Sequence, residues 1–131
     1  METGIRNRIK GTVTDDKTAR AMGSGELPVF ATPAMVALIE ETCWRSVADE
    51  LDDGQGTVGV SLNVSHLSPT PVGMGFACES ELIEINGRKL TFKVDVYDEE
   101  SHIGEGTHER FIVDNDRFLQ KAKSKIRPPE Y

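Results

Sequence analysis

His66 is the residue whose type and position most clearly suggest chemistry. It ends a segment in which apolar residues alternate with small or polar ones, and the apolar positions are Val58, Val60, Leu62 and Val64. A period of two residues predicts a half-buried strand, and His66 continues its apolar side. A histidine there, just before a loop broken by prolines, should lie at the rim of the core, where it could transfer protons near neutral pH. A core histidine with satisfied hydrogen bonds is the plainer interpretation, and the residues alone favour it.

Thr32 stands at the start of the strongest helical pattern in the chain. It suits the N-cap position, and Pro33 suits the first position of a helix. Apolar residues at helical spacing follow, namely Met35, Leu38, Ile39, Cys43 and Val47. We therefore expect a helix from residue 32 to about residue 51. A hydroxyl at its N-terminus would lie among free backbone N–H groups, which favour an alkoxide or a hydroxyl that orients water, although capping alone also explains a threonine there.

His108 and Arg110 lie two residues apart in the last predicted strand, so their side chains share one face. Arg110 could hold a carboxylate or a phosphate, although a surface arginine is an equally good interpretation. The histidines and cysteines lack the spacing of zinc ligands, so no metal site is expected. The sequence also lacks the glycine-rich motifs of nucleotide-binding loops.

The elements that would position these residues follow from the rest of the pattern. Strands are expected at residues 8–14, 57–66, 74–85, 90–96 and 103–113, with a hairpin turn at Asn86-Gly87. Residues 14–28 read as a lid-like loop with at most one helical turn, and the tail at 114–131 as a short helix. One long helix with several antiparallel strands predicts an α+β domain over residues 1–131, a curved sheet wrapped around the helix, which is the hot-dog fold. The exposed edge of such a sheet favours a homodimer or a higher oligomer.

Composition limits the partners of the chain. Its 131 residues include 15 Lys and Arg against 22 Asp and Glu, which gives a net charge of −7. A field of that sign disfavours nucleic acid or an anionic membrane as the main partner, but not a small anion held by local cations. There is no apolar run long enough to span a membrane and no apolar stretch typical of a secretory signal, and the two cysteines are far apart. A cytoplasmic location is therefore expected.

Four segments of the chain resemble the fluoroacetyl-CoA thioesterase family of hot-dog proteins, in order and with matching spacing. They are VFATPAMVALIEETCW at 29–44, GVSLNVSHLSPTPVG at 59–73, INGRKLTFKVDVYD at 85–98 and IGEGTHERFIV at 103–113. The resemblance implies an acyl-CoA thioesterase that hydrolyses a short or small acyl-CoA to the free acid and coenzyme A. It implies no cofactor other than the coenzyme A that is part of the substrate.

The resemblance also implies a set of site residues. Thr32, Glu40 and His66 match the catalytic residues of the family, and Gly59 and Arg110 match positions associated with substrate binding. Eight helical residues separate Glu40 from Thr32, which is about 12 Å along the axis and about 80° around it. The two side chains therefore cannot touch within one straight helix. They must cooperate through the substrate or a third residue, or act from opposite subunits.

One departure from the family lies in the lid. Glu26 stands where the family has a phenylalanine that gates the pocket, and residues 14–28 contain no aromatic side chain. This departure bears on selectivity for fluorinated substrates and not on thioester hydrolysis. A hot-dog hydratase is a weaker fit, because the expected Asp and His spacing is absent. The alternative function is a non-catalytic hot-dog module that binds an acyl-CoA or a small aromatic ligand.

Overall fold

The computed structural model describes residues 1–129, in which five strands form one antiparallel sheet against a long helix. The strands are β1 (Arg6–Thr12), β2 (Gln55–His66), β3 (Gly75–Asn86), β4 (Lys89–Asp98) and β5 (His102–Asp114); the helices are α1 (Ala19–Met22), α2 (Thr32–Val47) and α3 (Asn115–Lys123). The strand order is β1-β3-β4-β5-β2, and α2 contacts all five strands. The predicted curved sheet around one long helix is confirmed. No helix within residues 1–129 has the length and hydropathy needed to cross a membrane.

The core lies between the predicted apolar stripe of α2 and the inner face of the sheet. All five stripe residues are buried, and α2 continues from Val47 into a 3-10 turn that ends at Glu50, close to the expected end. The sheet contributes Cys78, Leu82, Leu90, Phe92, Val94, Val96 and Ile103. Burial of this apolar surface is the main force that holds the helix in the sheet.

A β-bulge in β2 corrects the predicted alternation of that strand. Gly59 pairs with Arg110 and Ser61 pairs with Glu109, so Val60 is an extra residue with no partner in the register. An extra residue shifts the alternation by one position. Val58 therefore lies on the outer face opposite Phe111, whose ring is 40% exposed, whereas Leu62 lies opposite the buried His108. The prediction of one continuous apolar face was right from Leu62 to His66 and wrong for Val58 and Val60.

The β3–β4 hairpin forms as predicted, one residue later in the chain. Asn86 pairs with Lys89, so the turn residues are Gly87 and Arg88. Gly87 has a φ of +62°, a backbone conformation that glycine adopts without strain. The first strand is the predicted edge strand, although it begins two residues earlier than expected.

The lid at residues 14–28 has more structure than the sequence predicts. It contains a 3-10 turn at Asp15–Lys17 and the short helix α1, in which the Ala21 backbone N–H donates to the Thr18 hydroxyl at 3.1 Å. Backbone hydrogen bonds tie the lid to the segment before α2, including Ala31 N–H to the Lys17 carbonyl at 2.9 Å. The predicted tail helix is present as α3, and residues 130 and 131 of that tail lie outside the described part of the chain.

Candidate active site

The hydroxyl of Thr32 lies 2.8 Å from Nδ1 of His66, which joins the start of α2 to the end of β2. The N-cap residue of α2 is Ala31, and Thr32 is the first residue inside the helix. The predicted N-cap position of Thr32 is therefore wrong by one residue. Because the cap is an alanine, the Thr32 hydroxyl is free to contact the histidine, and capping no longer explains this threonine.

His66 lies in a partly desolvated setting that keeps it neutral. Burial lowers its pKa below the ordinary value of 6.5. The edge of its ring faces Phe30, with 6.4 Å between the ring centroids. Among residues 1–129, no group forms a hydrogen bond with the buried Nε2. A neutral imidazole next to a hydroxyl can accept the hydroxyl proton, so the pair has the arrangement of a base and the group it activates.

Thr32 and His66 line a cavity of about 310 Å³. Ala19 and Ser24 of the lid form another part of its wall, and Phe30 lines it beside His66. A small ligand in this cavity would meet the hydroxyl, the imidazole and the N-terminal end of α2 together. The positive end of the helix dipole favours negative charge there.

Arg110 organises a second group of side chains. It is 5% exposed, and its Nε and Nη2 donate to the hydroxyl and the carbonyl of Thr57 at 2.8 and 2.9 Å. Its Nη1 donates to the Glu40 carboxylate at 3.2 Å and to Nε2 of His108 at 3.0 Å. Four of the five N–H groups of a guanidinium are thus occupied, which fixes the orientation of the Glu40 carboxylate.

His108 is fully buried beside Arg110, and its tautomer follows from its partners. Nδ1 lies 2.8 Å from the Ser61 carbonyl, which can only accept, so Nδ1 carries the proton. Nε2 is then free to accept from Arg110. Burial, with a further contribution from the Arg110 charge, lowers the pKa of His108, so this donor and acceptor pattern persists at neutral pH.

The sequence indicated only part of this second group. It placed His108 and Arg110 on one face, which the structure confirms, but it assigned no role to His108 and did not identify Thr57. Thr57 lies two residues before Gly59 in β2, so a shared strand face was the signal that could have found it.

Gly59 faces Glu40 and His108 across the bulged part of β2. A Cβ atom added at Gly59 would lie 2.7 Å from Glu40 Oε2 and 3.2 Å from His108 Cε1. A larger residue would therefore displace the carboxylate. The absence of a side chain at Gly59 is what allows Glu40 to bind Arg110 beneath the strand.

The structure thus brings the five predicted site residues into two groups. Thr32 and His66 form one group, and Glu40, Gly59 and Arg110 form the other. Glu40 binds Arg110 and forms no hydrogen bond with Thr32 or His66 in this chain. The helical spacing correctly predicted that Glu40 and Thr32 do not touch.

A separate cluster lies on the outer face of the sheet. Ligand atoms of Asp95, His102 and Glu105 lie within 4.8 Å of one another, and His102 Nε2 is 3.0 Å from the Asp95 carboxylate. The spacing of histidines along the sequence did not predict this cluster, because the register of β4 with β5 assembles it.

Comparisons with known proteins agree on one family. Residues 13–116 match the family described as FlK: fluoroacetyl-CoA-specific thioesterase. The fluoroacetyl-CoA thioesterase of Streptantibioticus cattleyicolor is 38% identical over 131 residues, which covers 95% of this chain and 94% of that protein.

Solved structures give the same result. A structure of the fluoroacetyl-CoA thioesterase FlK has a TM-score of 0.91 at 34% identity and covers 97% of this chain and 98% of that one. A variant of FlK was solved with fluoroacetate and CoA; it has a TM-score of 0.86 at 34% identity over 90% of this chain and 99% of that one. A Thermus thermophilus thioesterase superfamily member, at 23% identity, has a TM-score of 0.86 over 95% of this chain and 94% of that one, and it supports the hot-dog fold alone.

Proposed function

Because this chain belongs to the family of fluoroacetyl-CoA-specific thioesterases and is an acyl-CoA thioester hydrolase, we propose that Thr32, Glu40 and His66 are its catalytic residues. The observation that carries this proposal is the 2.8 Å contact between the Thr32 hydroxyl and His66 Nδ1, both of which line the cavity of about 310 Å³. A short acyl group fits a cavity of about 310 Å³ better than a long one.

In the proposed reaction, His66 accepts a proton while an oxygen attacks the thioester carbonyl carbon. The attacking oxygen is that of Thr32 or of a water that Thr32 orients, and in both cases neutral His66 is the base. The negative charge that develops on the carbonyl oxygen is stabilised by the N-terminal end of α2. The carbon–sulfur bond then breaks, and His66 returns the proton to the coenzyme A thiolate. If Thr32 is the nucleophile, a water hydrolyses the resulting ester by the same proton transfer.

Glu40 joins this site in a homodimer. β2 is an edge strand of the sheet, and two of its apolar residues, Val60 and Leu62, are 55% and 37% exposed. Unpaired edges of this kind pair readily with another strand. If β2 pairs antiparallel with β2 of a second copy, the His66 end of one strand lies beside the Gly59 end of the other. The Glu40 carboxylate of the second copy then lies next to the Thr32–His66 pair, which resolves the separation seen within one chain.

Gly59 and Arg110 contribute to substrate binding in this arrangement. Gly59 is exposed on the edge strand, so its backbone can approach a thioester closely. Arg110 is nearly buried and occupied by protein partners, so it contributes by holding the Glu40 carboxylate in place rather than as a free surface cation. The phosphates of coenzyme A would instead meet exposed lysines of the tail, with Lys121 and Lys123 in the last turn of α3.

We also place the protein in the cytoplasm. Cys43 and Cys78 are both free and buried, as in proteins of reducing compartments. Burial raises the pKa of Cys78 to about 11, so its thiol is unreactive at neutral pH.

A thiol-release assay over a panel of acyl-CoA thioesters tests the proposed function. Thr32→Ala and His66→Ala should each lower kcat by about 10²–10⁴-fold, because each removes a partner in proton transfer. His102→Ala is the matched control, since that histidine lies on the outer face and should leave the rate unchanged. Turnover of no thioester by the wild-type protein, or an unchanged rate in the His66 variant, would contradict the proposal. Tight binding without turnover, unaffected by Thr32→Ala, would indicate the non-catalytic binding module.

A further inference from the structure

Two stacked phenylalanine rings separate the proposed acyl pocket from a second cavity. Phe30 and Phe76 lie nearly parallel, with 4.9 Å between their centroids and 11° between their planes. Phe30 lines the cavity of about 310 Å³ that contains Thr32 and His66. Phe76 lines a different cavity of about 540 Å³, which Phe30 does not line. The two rings thus lie between the two cavities, Phe30 on the side of the first and Phe76 on the side of the second.

Both rings are held firmly where they are. Phe30 and Phe76 are 2% and 7% exposed, and the Phe30 backbone N–H donates to the Thr70 carbonyl at 2.9 Å. Phe76 lies in β3 opposite Gly11 of β1. A Cβ atom at Gly11 would lie 2.6 Å from the tip of the Phe76 ring, so the ring occupies the space that a side chain at Gly11 would need.

The cavity beside Phe76 has an apolar side that could hold an aliphatic chain, formed by Ile9, Met22, Ala34 and Leu38. Charged residues line the rest of it, namely Lys10, Asp16, Lys17 and Glu41, and the Lys17 ammonium lies 5.3 Å from the Phe76 ring centroid. An acyl group that passed the two rings would bury its methylenes against the apolar side chains. In the wild-type protein the Phe30 and Phe76 rings lie between the two cavities.

We propose that the stacked Phe30–Phe76 pair is the end wall of the acyl pocket and limits the substrate to short acyl groups. This inference rests on the proposed function, since it assigns the acyl group to the Thr32–His66 cavity. Phe30 also contacts His66, whereas Phe76 does not line the catalytic cavity. Phe76 is therefore the position at which the wall can be opened while the ring beside the base is kept.

The test is a chain-length series of acyl-CoA thioesters, from acetyl to octanoyl, with Phe76→Ala. Removal of the Phe76 ring leaves space into which the Phe30 ring can tilt, which lengthens the acyl pocket. The ratio of kcat/KM for hexanoyl-CoA over kcat/KM for acetyl-CoA should therefore rise at least tenfold, which is about 1.4 kcal/mol. Leu82→Ala is the matched control, since Leu82 is a buried residue of the same strand that lines neither cavity. Its ratio should equal that of the wild-type protein.

A second readout does not depend on catalysis. The rise in Tm caused by acetate, hexanoate or octanoate should favour the short acid in the wild-type protein and the longer acids in Phe76→Ala. Phe76→Leu, which keeps apolar bulk without a ring, should shift both readouts in the same direction and serves if the alanine variant does not fold. An unchanged chain-length preference in a folded Phe76 variant, or the same shift in Leu82→Ala, would contradict the proposal that the Phe30–Phe76 pair is the end wall. If the wild-type protein hydrolyses no thioester, the proposed function fails, and the carboxylate series still decides whether the wall sets chain length.

Discussion

Two histidines of this chain have a pKa lowered by burial, and their hydrogen-bond partners differ; His108 is fully buried and His66 is half-buried. His66 faces the Thr32 hydroxyl, whereas His108 accepts a hydrogen bond from Arg110. One is placed to exchange a proton with a reacting group, and the other to hold a cation in position. Residue type alone does not distinguish them, but their partners do.

The pH dependence of hydrolysis should report the protonation of His66. Burial lowers its pKa below 6.5, and the neutral form is the base in the proposed reaction. The rate should therefore stay constant as the pH falls from neutral to about 6.5, and decline only below that, as the pH passes through the lowered pKa. The measurement is kcat/KM between about pH 4.5 and 8 in a folded protein. A decline centred well above 6.5 would show that another group is the base.

His108 should act as a positioning residue for Arg110 and Glu40. His108→Leu removes the acceptor for Arg110 Nη1, and we expect a loss of about tenfold in kcat/KM, because an N–H of a buried cation is left without its partner. In His108→Gln, the amide oxygen can take the place of Nε2, so activity should be largely restored. Steady-state kinetics with denaturant unfolding of both variants separates this effect from lost stability. Equal activity of the two variants at equal stability would show that the hydrogen bond has no role.

The secondary-structure elements were predictable where a periodic pattern runs unbroken. The apolar stripe predicted the length and the buried face of α2. The alternation in β4 predicted a strand whose apolar residues are buried, namely Leu90, Phe92, Val94 and Val96. The bulge at Val60 was not predictable, since nothing in the local pattern marks an extra residue. Its consequence reaches the candidate site, because the shift places Gly59 on the inner face with Glu40 and Arg110.

The hydrogen-bond partners of the candidate site residues could not be predicted from the sequence. The resemblance named Thr32, Glu40, His66, Gly59 and Arg110 as candidates, but the partners of each residue depend on cross-strand register. The Thr57–Arg110 and Ser61–His108 hydrogen bonds join residues about fifty positions apart. Such contacts are set by the pairing of β2 with β5, which a single sequence does not reveal.

At the scale of the whole molecule, the net charge constrains how the protein captures its substrate. The chain carries a net charge of −7, and coenzyme A is itself an anion. Capture of the substrate must therefore rely on local cations rather than on the overall field. Arg110 is occupied by Thr57, Glu40 and His108, so substrate capture would rely on exposed cations elsewhere, among them Lys121 and Lys123 of α3 and Arg20 of α1.

Pairing of two β2 strands would complete two equivalent sites per dimer. Each site would combine Thr32 and His66 of one copy with Glu40 of the other. Neither chain would then hold a whole site alone, and residues of both copies would act on one thioester.

The most direct measurement is thioesterase activity of a mixed dimer in which one copy carries His66→Ala and the other carries Glu40→Gln. One of its two sites would retain His66 from the second copy and Glu40 from the first. We predict that each variant alone is nearly inactive, and that the purified mixed dimer regains about half of the wild-type rate. A mixed dimer as inactive as its parents would contradict the account, because it would place Glu40 and His66 in the same site of the same chain.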